Sequence, residues 1–205
     1  MKIIAVGMNY AQHNQELGHK ETSKEPVIFM KPDSALLRDG KPFFLPDFSA
    51  DLQYETEVVV HICRLGKCIA PRFAHRYYDA VTVGIDFTAR DLQSCFRAGG
   101  LPWELSKCFD GSAAIGRFIP LEQLGGDVQQ LDFHLDIDGS TRQHGRTADM
   151  LHRVDDIIAY VSRFMTLKMG DLLFTGTPVG VGPVSVGQHL QGYLGEENVL
   201  DFYIR

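Results

Sequence analysis

Apolar residues fall in short runs along this chain, and the clearest run alternates with polar residues at a period of two. Leu131, Phe133, Leu135 and Ile137 are separated by Asp132, His134 and Asp136, the pattern of a strand with one buried face. Asp138-Gly139 follows as a hairpin turn. The Asp and His residues of the other face are expected to be exposed. Residues 3–6, 26–31, 42–45, 81–85, 172–175 and 200–204 also read as short strands, bounded by Gly, Pro or Asp. Arg64-Leu-Gly-Lys67 reads as a hairpin turn. Helical spacing is rarer. Val154, Ile157, Ile158 and Val161 form one apolar stripe, the best amphipathic helix in the chain. Shorter helices are predicted between Gly7 and Gly18, over 71–80 behind Pro71, and from the residues after Asp86 to Gly99-Gly100. Strands outnumber helices, so the expected class is α+β and mostly β. No repeat, low-complexity stretch or linker interrupts the chain, which predicts one domain over 1–205.

Composition narrows the class without naming a chemistry. The 205 residues are 44% hydrophobic and 22% charged, ordinary for a globular chain with a sizeable core. A net charge of −6 and a pI near 5.7 give no bulk attraction to nucleic acid or an anionic membrane. No apolar run approaches the length of a membrane span. The start, Met1-Lys-Ile-Ile-Ala-Val-Gly7, runs straight into polar sequence and reads as a first strand, not a targeting segment. Cys63, Cys68, Cys95 and Cys108 match neither a zinc pattern nor Cys-x-x-Cys. A reducing compartment is therefore expected, and the cytoplasm in particular.

The candidate chemistry centres on Asp51-Leu-Gln-Tyr-Glu55-Thr-Glu57-Val-Val-Val60. The β-branched run marks a strand, and residues i and i+2 share a face about 6–7 Å apart. On an open face, Glu55 and Glu57 are simply solvated, the commoner case for glutamate. On a buried face their repulsion calls for a cation, and carboxylate oxygens suit a hard divalent ion. Asp86 ends a predicted strand, as a helix N-cap or as a third carboxylate. Arg90 and Gln93 follow at i+4 and i+7, on one predicted helical face with Asp86. His13 and Glu16 are three apart on a short helix. They are either an exposed pair or an imidazole oriented by a carboxylate to act as a base. Residues 19–25 are polar and unperiodic, which predicts a mobile loop and candidate lid. Lys31 either reaches a site or is simply solvated, and the solvated reading is the expected one. Lys107 lies in a segment holding the only Trp. It is either a solvated loop lysine or a cation that stabilises an oxyanion. Gly176-Thr177-Pro-Val-Gly180-Val-Gly182 lacks both nucleotide-loop patterns, but its amides and the Thr177 hydroxyl suit a carboxylate. The polar stretch 122–130 suggests no function.

Taken together and in order, these segments resemble the fumarylacetoacetate hydrolase family. The matching motifs are Gly7-Met-Asn-Tyr-Ala-Gln-His13-x-x-Glu16, Phe29-Met-Lys-Pro32, Glu55-Thr-Glu57 and Asp86-Phe-Thr-Ala-Arg90-Asp-x-Gln93. They continue with Leu101-Pro-Trp-x-x-x-Lys107-x-Phe109 and Gly170-Asp-x-x-x-Thr-Gly-Thr-Pro-x-Gly-Val-Gly182. The pattern is most similar to small single-domain members that hydrolyse acylpyruvates and decarboxylate oxaloacetate. Relatives with the same core isomerise or decarboxylate hydroxylated dienoate diacids, and that is the alternative activity. A non-catalytic metal-binding protein is a further alternative, against which the intact His13, Glu16 and Lys107 argue. The resemblance implies a mixed β-sheet roll with short peripheral helices, usually a homodimer. It implies that Glu55, Glu57 and Asp86 hold Mg2+ or Mn2+, with Ca2+ as a substitute. His13 and Glu16 then correspond to a water-activating dyad on a lid, and Lys107 to a catalytic cation. Arg90, Gln93 and Thr177 correspond to groups that bind a small keto-acid substrate. Similar acylpyruvases tend to have Arg where this chain has Met8, so a carboxylate-pairing role does not carry over to that position.

Overall fold

The computed structural model describes residues 1–18 and 23–205. Its largest sheet has eight strands. The order across it is Val27–Lys31, Ile3–Gly7, Leu172–Phe174, Thr56–Ile62, Tyr78–Asp86, Ala113–Ile115 and Leu36–Leu37, with Ile119–Pro120 also paired to Tyr78–Asp86. The sheet is mixed. Ile3–Gly7 runs parallel to Leu172–Phe174, and Leu36–Leu37 parallel to Ala113–Ile115, while the other pairings are antiparallel. A four-stranded antiparallel sheet joins Ser140–Arg146, Asp132–Ile137, His189–Leu194 and Glu197–Tyr203. A small third sheet joins Gly182–Pro183, Leu52–Tyr54 and Thr88–Ala89. The chain is α+β and mostly β, a curled mixed sheet with short helices, as the sequence predicts.

Burial explains why the central strands lack alternation. Val58 and Val60 pack in the larger core with Val81, Val83, Phe133 and Leu135. Val59 turns to the opposite face, with Ile3, Ala5 and Phe174. A strand covered on both faces reads as a continuous apolar run. In helix α3 (Val154–Phe164), Val154, Ile157, Ile158 and Val161 are all buried, so the predicted stripe faces the core. Gln129, from the stretch without a functional reading, accepts from Val154 N at 3.1 Å and fastens the start of that helix. Leu131, Phe133, Leu135 and Ile137 are buried as expected, and Asp138 and Gly139 take φ of 53° and 72°, the left-handed pair of a tight two-residue hairpin turn.

Several boundaries differ from the sequence reading. The helix predicted over 71–80 is a 3-10 helix, Pro71–Arg76, and Tyr78 already begins a strand. Tyr78 and Ala80 pair with Ile62 and His61, and sheet pairing outweighs local helix preference there. That 3-10 helix lies between the two paired strands, so Arg64–Lys67 is part of a longer connection and no tight hairpin. Phe43 makes an isolated parallel bridge to Ile204 in place of a strand over 42–45.

The most consequential difference concerns Asp86. Thr88–Ala89 is a further short strand, and helix α2 (Arg90–Ala98) starts only after it, with Ala89 at its N-cap. Asp86 is therefore a strand residue and caps no helix, and it does not share a helical face with Arg90 and Gln93. Glu55 sits at the matching point, between Leu52–Tyr54 and Thr56–Ile62. Both strands leave the large sheet for the small one at this level, and Asp86 N donates to Glu55 O at 2.8 Å across the gap. Among the described residues, no helix is long and apolar enough to cross a membrane.

Candidate active site

Where the two strands change sheets, Glu55, Glu57 and Asp86 bring carboxylate oxygens within 4.8 Å of one another. They are 6%, 1% and 1% exposed, so the solvated-face alternative for the glutamate pair does not hold. Three carboxylates this close in a dry site require positive charge. Lys107 supplies part of it. Its Nζ donates to Glu55 Oε2 at 2.8 Å, Asp86 Oδ2 at 2.7 Å and Thr88 Oγ1 at 2.6 Å. Burial pulls the Lys107 ammonium down, but Asp86 and Glu55 outweigh it and hold its pKa above the ordinary lysine value. Lys107 is thus no solvated loop lysine.

Lys31 corrects the sequence expectation more sharply. It is 2% exposed, and its Nζ lies 2.7 Å from Asp86 Oδ1. It also donates to Ser112 O at 3.1 Å, to Ser112 Oγ at 3.0 Å and to the Lys107 carbonyl. One ammonium thereby positions a candidate ligand and the backbone of the neighbouring lysine. Strand membership placed Lys31 beside the core, but its partner Asp86 is distant in the chain. The only sequence signal for this role was the Phe29-Met-Lys-Pro32 motif.

Arg90 donates to Glu55 Oε1 and is itself held by Gln53 Oε1 at 2.9 Å and Gln93 Oε1 at 2.7 Å. Burial raises the Glu55 carboxyl, but Lys107, Arg90 and His13 outweigh it and hold Glu55 well below the usual carboxylate range. Glu57 behaves oppositely. Burial, then Asp86 and Glu55, push it well above that range, against a 2.7 Å hydrogen bond from Gly176 N. A buried cluster of three hard oxygen donors that repel one another fits a divalent cation of the Mg, Mn or Ca type.

The imidazole of His13 faces the same space. It lies on α1 (Ala11–Glu16), which has six residues and no side-chain cap, too little to hold a helix alone. Tertiary bonds hold it instead. His13 Nδ1 lies 3.1 Å from Glu16 Oε2, and Gly180 N donates to Glu16 Oε1 at 3.1 Å. Asn14 Nδ2 donates to Met8 O at 3.0 Å, and Met8 itself takes a left-handed φ of 62° at the turn into the helix. Asn9 donates to Thr175 O at 2.8 Å and accepts from His152 N at 2.7 Å. Of the predicted lid, residues 19–22 lie outside the described residues, while Glu25 accepts from Tyr160 OH at 3.1 Å.

Thr177 is positioned by Gln143, a residue the sequence reading missed. Gln143 is 1% exposed. Its Nε2 donates to Thr177 Oγ1 and to Pro178 O, each at 2.9 Å, and its Oε1 accepts from Thr56 N at 2.9 Å. A carbonyl can only accept and a peptide N–H can only donate, so these partners set the amide orientation. Thr177 Oγ1 accepts from Gln143 and donates only at 3.5 Å to Pro178 O, so a closer acceptor in the cavity competes for its proton. One side chain thus ties the residue between the two glutamates to the glycine-rich loop. Eight of the nine predicted site residues line one cavity, and the ninth, Glu16, stands behind His13.

Fold and site together define a cavity with a buried carboxylate centre for a hard cation and a carboxylate-oriented imidazole. The chain belongs to the fumarylacetoacetate hydrolase family: the model of the fumarylacetoacetate (FAA) hydrolase C-terminal region matches residues 2–204. It is 39% identical over 189 residues to the oxaloacetate tautomerase YcgM of Escherichia coli, covering 92% of this chain and 86% of that one. It is 40% identical over 205 residues to a mitochondrial oxaloacetate decarboxylase of Dictyostelium discoideum, covering 99% and 93%. The crystal structure of a fumarylpyruvate hydrolase from Pseudomonas aeruginosa in complex with Mn2+ and pyruvate superposes with a TM-score of 0.93. That match has 34% identity and covers 100% of this chain and 89% of the other.

Proposed function

We propose that this chain is a metal-dependent hydrolase that cleaves the C–C bond of an acylpyruvate to give pyruvate and a carboxylic acid. Glu55, Glu57 and Asp86 would hold Mg2+ or Mn2+, and the ion bound in the P. aeruginosa relative supports this choice. When bound, the cation supplies Lewis-acid charge for the 2-oxo acid end of the substrate.

The chain's own groups carry the remaining steps. Thr177 donates its hydroxyl proton to the substrate carboxylate. His13 Nδ1 is engaged with Glu16, which leaves Nε2 as the basic atom. Nε2 takes a proton from water as the water oxygen bonds to the acyl carbonyl carbon. Lys107 stabilises the oxyanion that forms. Collapse of that adduct breaks the bond to C3, and the electron pair passes to the pyruvate fragment. The proton held on His13 then reaches C3, which completes pyruvate and the acid. The observation that carries this reading is the His13–Glu16 dyad, clamped to Gly180 and facing the same cavity as the three carboxylates. Decarboxylation alone needs no water-activating base.

Similarity to YcgM and to the D. discoideum protein favours a second reading, tautomerisation or decarboxylation of oxaloacetate at the same site. The same base would move a proton between C3 and the neighbouring oxygen. Metal-stripped protein assayed with acetylpyruvate, fumarylpyruvate and oxaloacetate, with and without Mg2+, separates the readings. Mg2+-dependent loss of the diketo absorbance with release of pyruvate supports hydrolysis. Turnover of oxaloacetate alone moves the protein to the second reading.

A further inference from the structure

We infer that Lys107 works in two positions, clamped onto Glu55 and Asp86 or turned into the cavity towards substrate, and that a divalent cation on those carboxylates drives the exchange. The inference rests on the cation reading of Glu55, Glu57 and Asp86 given above. An ammonium has three protons to donate and accepts none. Lys107 Nζ spends all three, on Glu55 Oε2 at 2.8 Å, Asp86 Oδ2 at 2.7 Å and Thr88 Oγ1 at 2.6 Å. In that position it has no proton left for an oxyanion. The role proposed for it above therefore requires the side chain to let go of the carboxylates.

The pairing of the carboxylate oxygens shows what releases it. Glu55 Oε1 accepts from Arg90, and Asp86 Oδ1 lies 2.7 Å from Lys31 Nζ. The other oxygens of these two residues, Oε2 and Oδ2, are the two that Lys107 holds. A hard cation taken up by Glu55, Glu57 and Asp86 thus reaches Glu55 and Asp86 through the oxygens that Lys107 occupies. A divalent ion and an ammonium at the same oxygens repel each other, and a dry site screens that repulsion little. Arg90 and Lys31 keep oxygens of their own, so Lys107 is the group displaced.

Its surroundings suit such an exchange, with a fixed backbone and a movable tip. Lys107 N donates to Glu104 O at 2.9 Å, and its carbonyl accepts from Ser112 Oγ at 2.8 Å and from Lys31 Nζ. These bonds hold the main chain and leave the flexible four-carbon stem to swing. Phe29 lines the cavity, and its ring centroid lies 5.3 Å from Lys107 Nζ. An aromatic ring at that distance attracts an ammonium, which gives Lys107 a second resting place inside the cavity. Lys107 thus neutralises the carboxylates until the cation takes them over, and it reaches substrate only in the loaded protein.

The test is acetylation of the full chain by acetic anhydride, with and without Mg2+, followed by mass mapping of the labelled lysines. Calorimetry on the same samples reads whether Mg2+ binds. Lys31 is the internal control, because it is buried and keeps its own oxygen of Asp86. Mg2+ should raise the labelling rate of Lys107 by at least about tenfold, equivalent to about 1.4 kcal/mol in the cost of exposing it, and leave Lys31 unchanged. Glu57→Gln should remove that rise together with Mg2+ binding. A crystal structure of the Mg2+-loaded chain should place Lys107 Nζ beyond about 3.5 Å from Glu55 Oε2 and Asp86 Oδ2. Bound Mg2+ with Lys107 labelled no faster, a rise shared by Lys31, or Nζ still on both carboxylates overturns the inference and leaves the cation reading standing. Failure of Mg2+ to bind overturns that reading, and the inference with it.

Discussion

At the scale of single residues, the site depends on side chains whose partners lie far away in the chain. Lys31 ion-pairs with Asp86 and bonds to Ser112. Exchanging it for Met breaks one of the two buried ammonium contacts of Asp86 and leaves Lys107 as the other, and breaking a buried pair typically costs about 3–5 kcal/mol. Lys31→Met is therefore expected to shift the urea midpoint strongly downward, and an unchanged midpoint would show that Asp86 does not need this partner. Gln143→Ala strands the Thr56 N–H and removes the donor to Thr177. A loss of about 1–3 kcal/mol is expected for the stranded group, with a raised KM for substrates bound by their carboxylate. His13→Ala tests the chemistry directly. Acylpyruvate hydrolysis should fall by about 10²–10⁴-fold, while Mg2+-dependent decarboxylation of oxaloacetate falls far less. Equal losses would remove the water-activating role. Lys31 read as solvated because lysines usually are, and nothing local marks Gln143 as buried. Residue type and spacing marked Glu55, Glu57, Asp86, His13, Glu16 and Thr177 as candidates, with a structural alternative beside most of them, and the family resemblance supplied the roles.

At the scale of elements, what matters is where strands stop. Thr56–Ile62 and Tyr78–Asp86 pair through Val58–Val60 and Val81–Val83, a pairing the β-branched runs announce. Their exit into the small sheet is set by contacts with Gly182–Pro183 and with each other, which no local pattern encodes. Gly84 lies opposite Glu57 in this pair. A Cβ there would meet Val59 Cγ2 at 2.7 Å and Ala114 O at 2.8 Å. The carbonyl cannot rotate aside as a side chain can, so Gly84→Ala should lose about 1–3 kcal/mol and weaken metal binding by spreading the two strands. Calorimetric titration of Mg2+ beside a denaturant curve checks both effects. Helix α1 shows the same dependence, since Glu16 and Gly180 hold a helix too short to persist alone.

At the scale of the whole molecule, buried carboxylates from two paired strands make cation binding part of the stability of the fold. An ion that binds only the native state stabilises it by mass action, by about 2.7 kcal/mol at a concentration one hundred times its Kd. Chelation should therefore lower the Tm and added Mg2+ or Mn2+ restore it. Glu57→Gln should abolish that response. A Tm indifferent to metal in the unsubstituted protein would argue against Glu55, Glu57 and Asp86 as ligands.

The sequence by itself determined the class of the fold, the apolar faces of its clearest strand and of α3, and the list of residues able to do chemistry. These follow from periodicity and functional-group identity, which are properties of neighbours in the chain. Only the tertiary structure decided that Glu55 and Glu57 lie on a buried face and that Asp86 is a strand end and no helix cap. It alone showed that Lys31 is buried against Asp86 and that Gln143 donates to the Thr177 hydroxyl. Each of these depends on the partner a side chain meets across sheets, and burial against such partners, not local propensity, sets its charge and orientation.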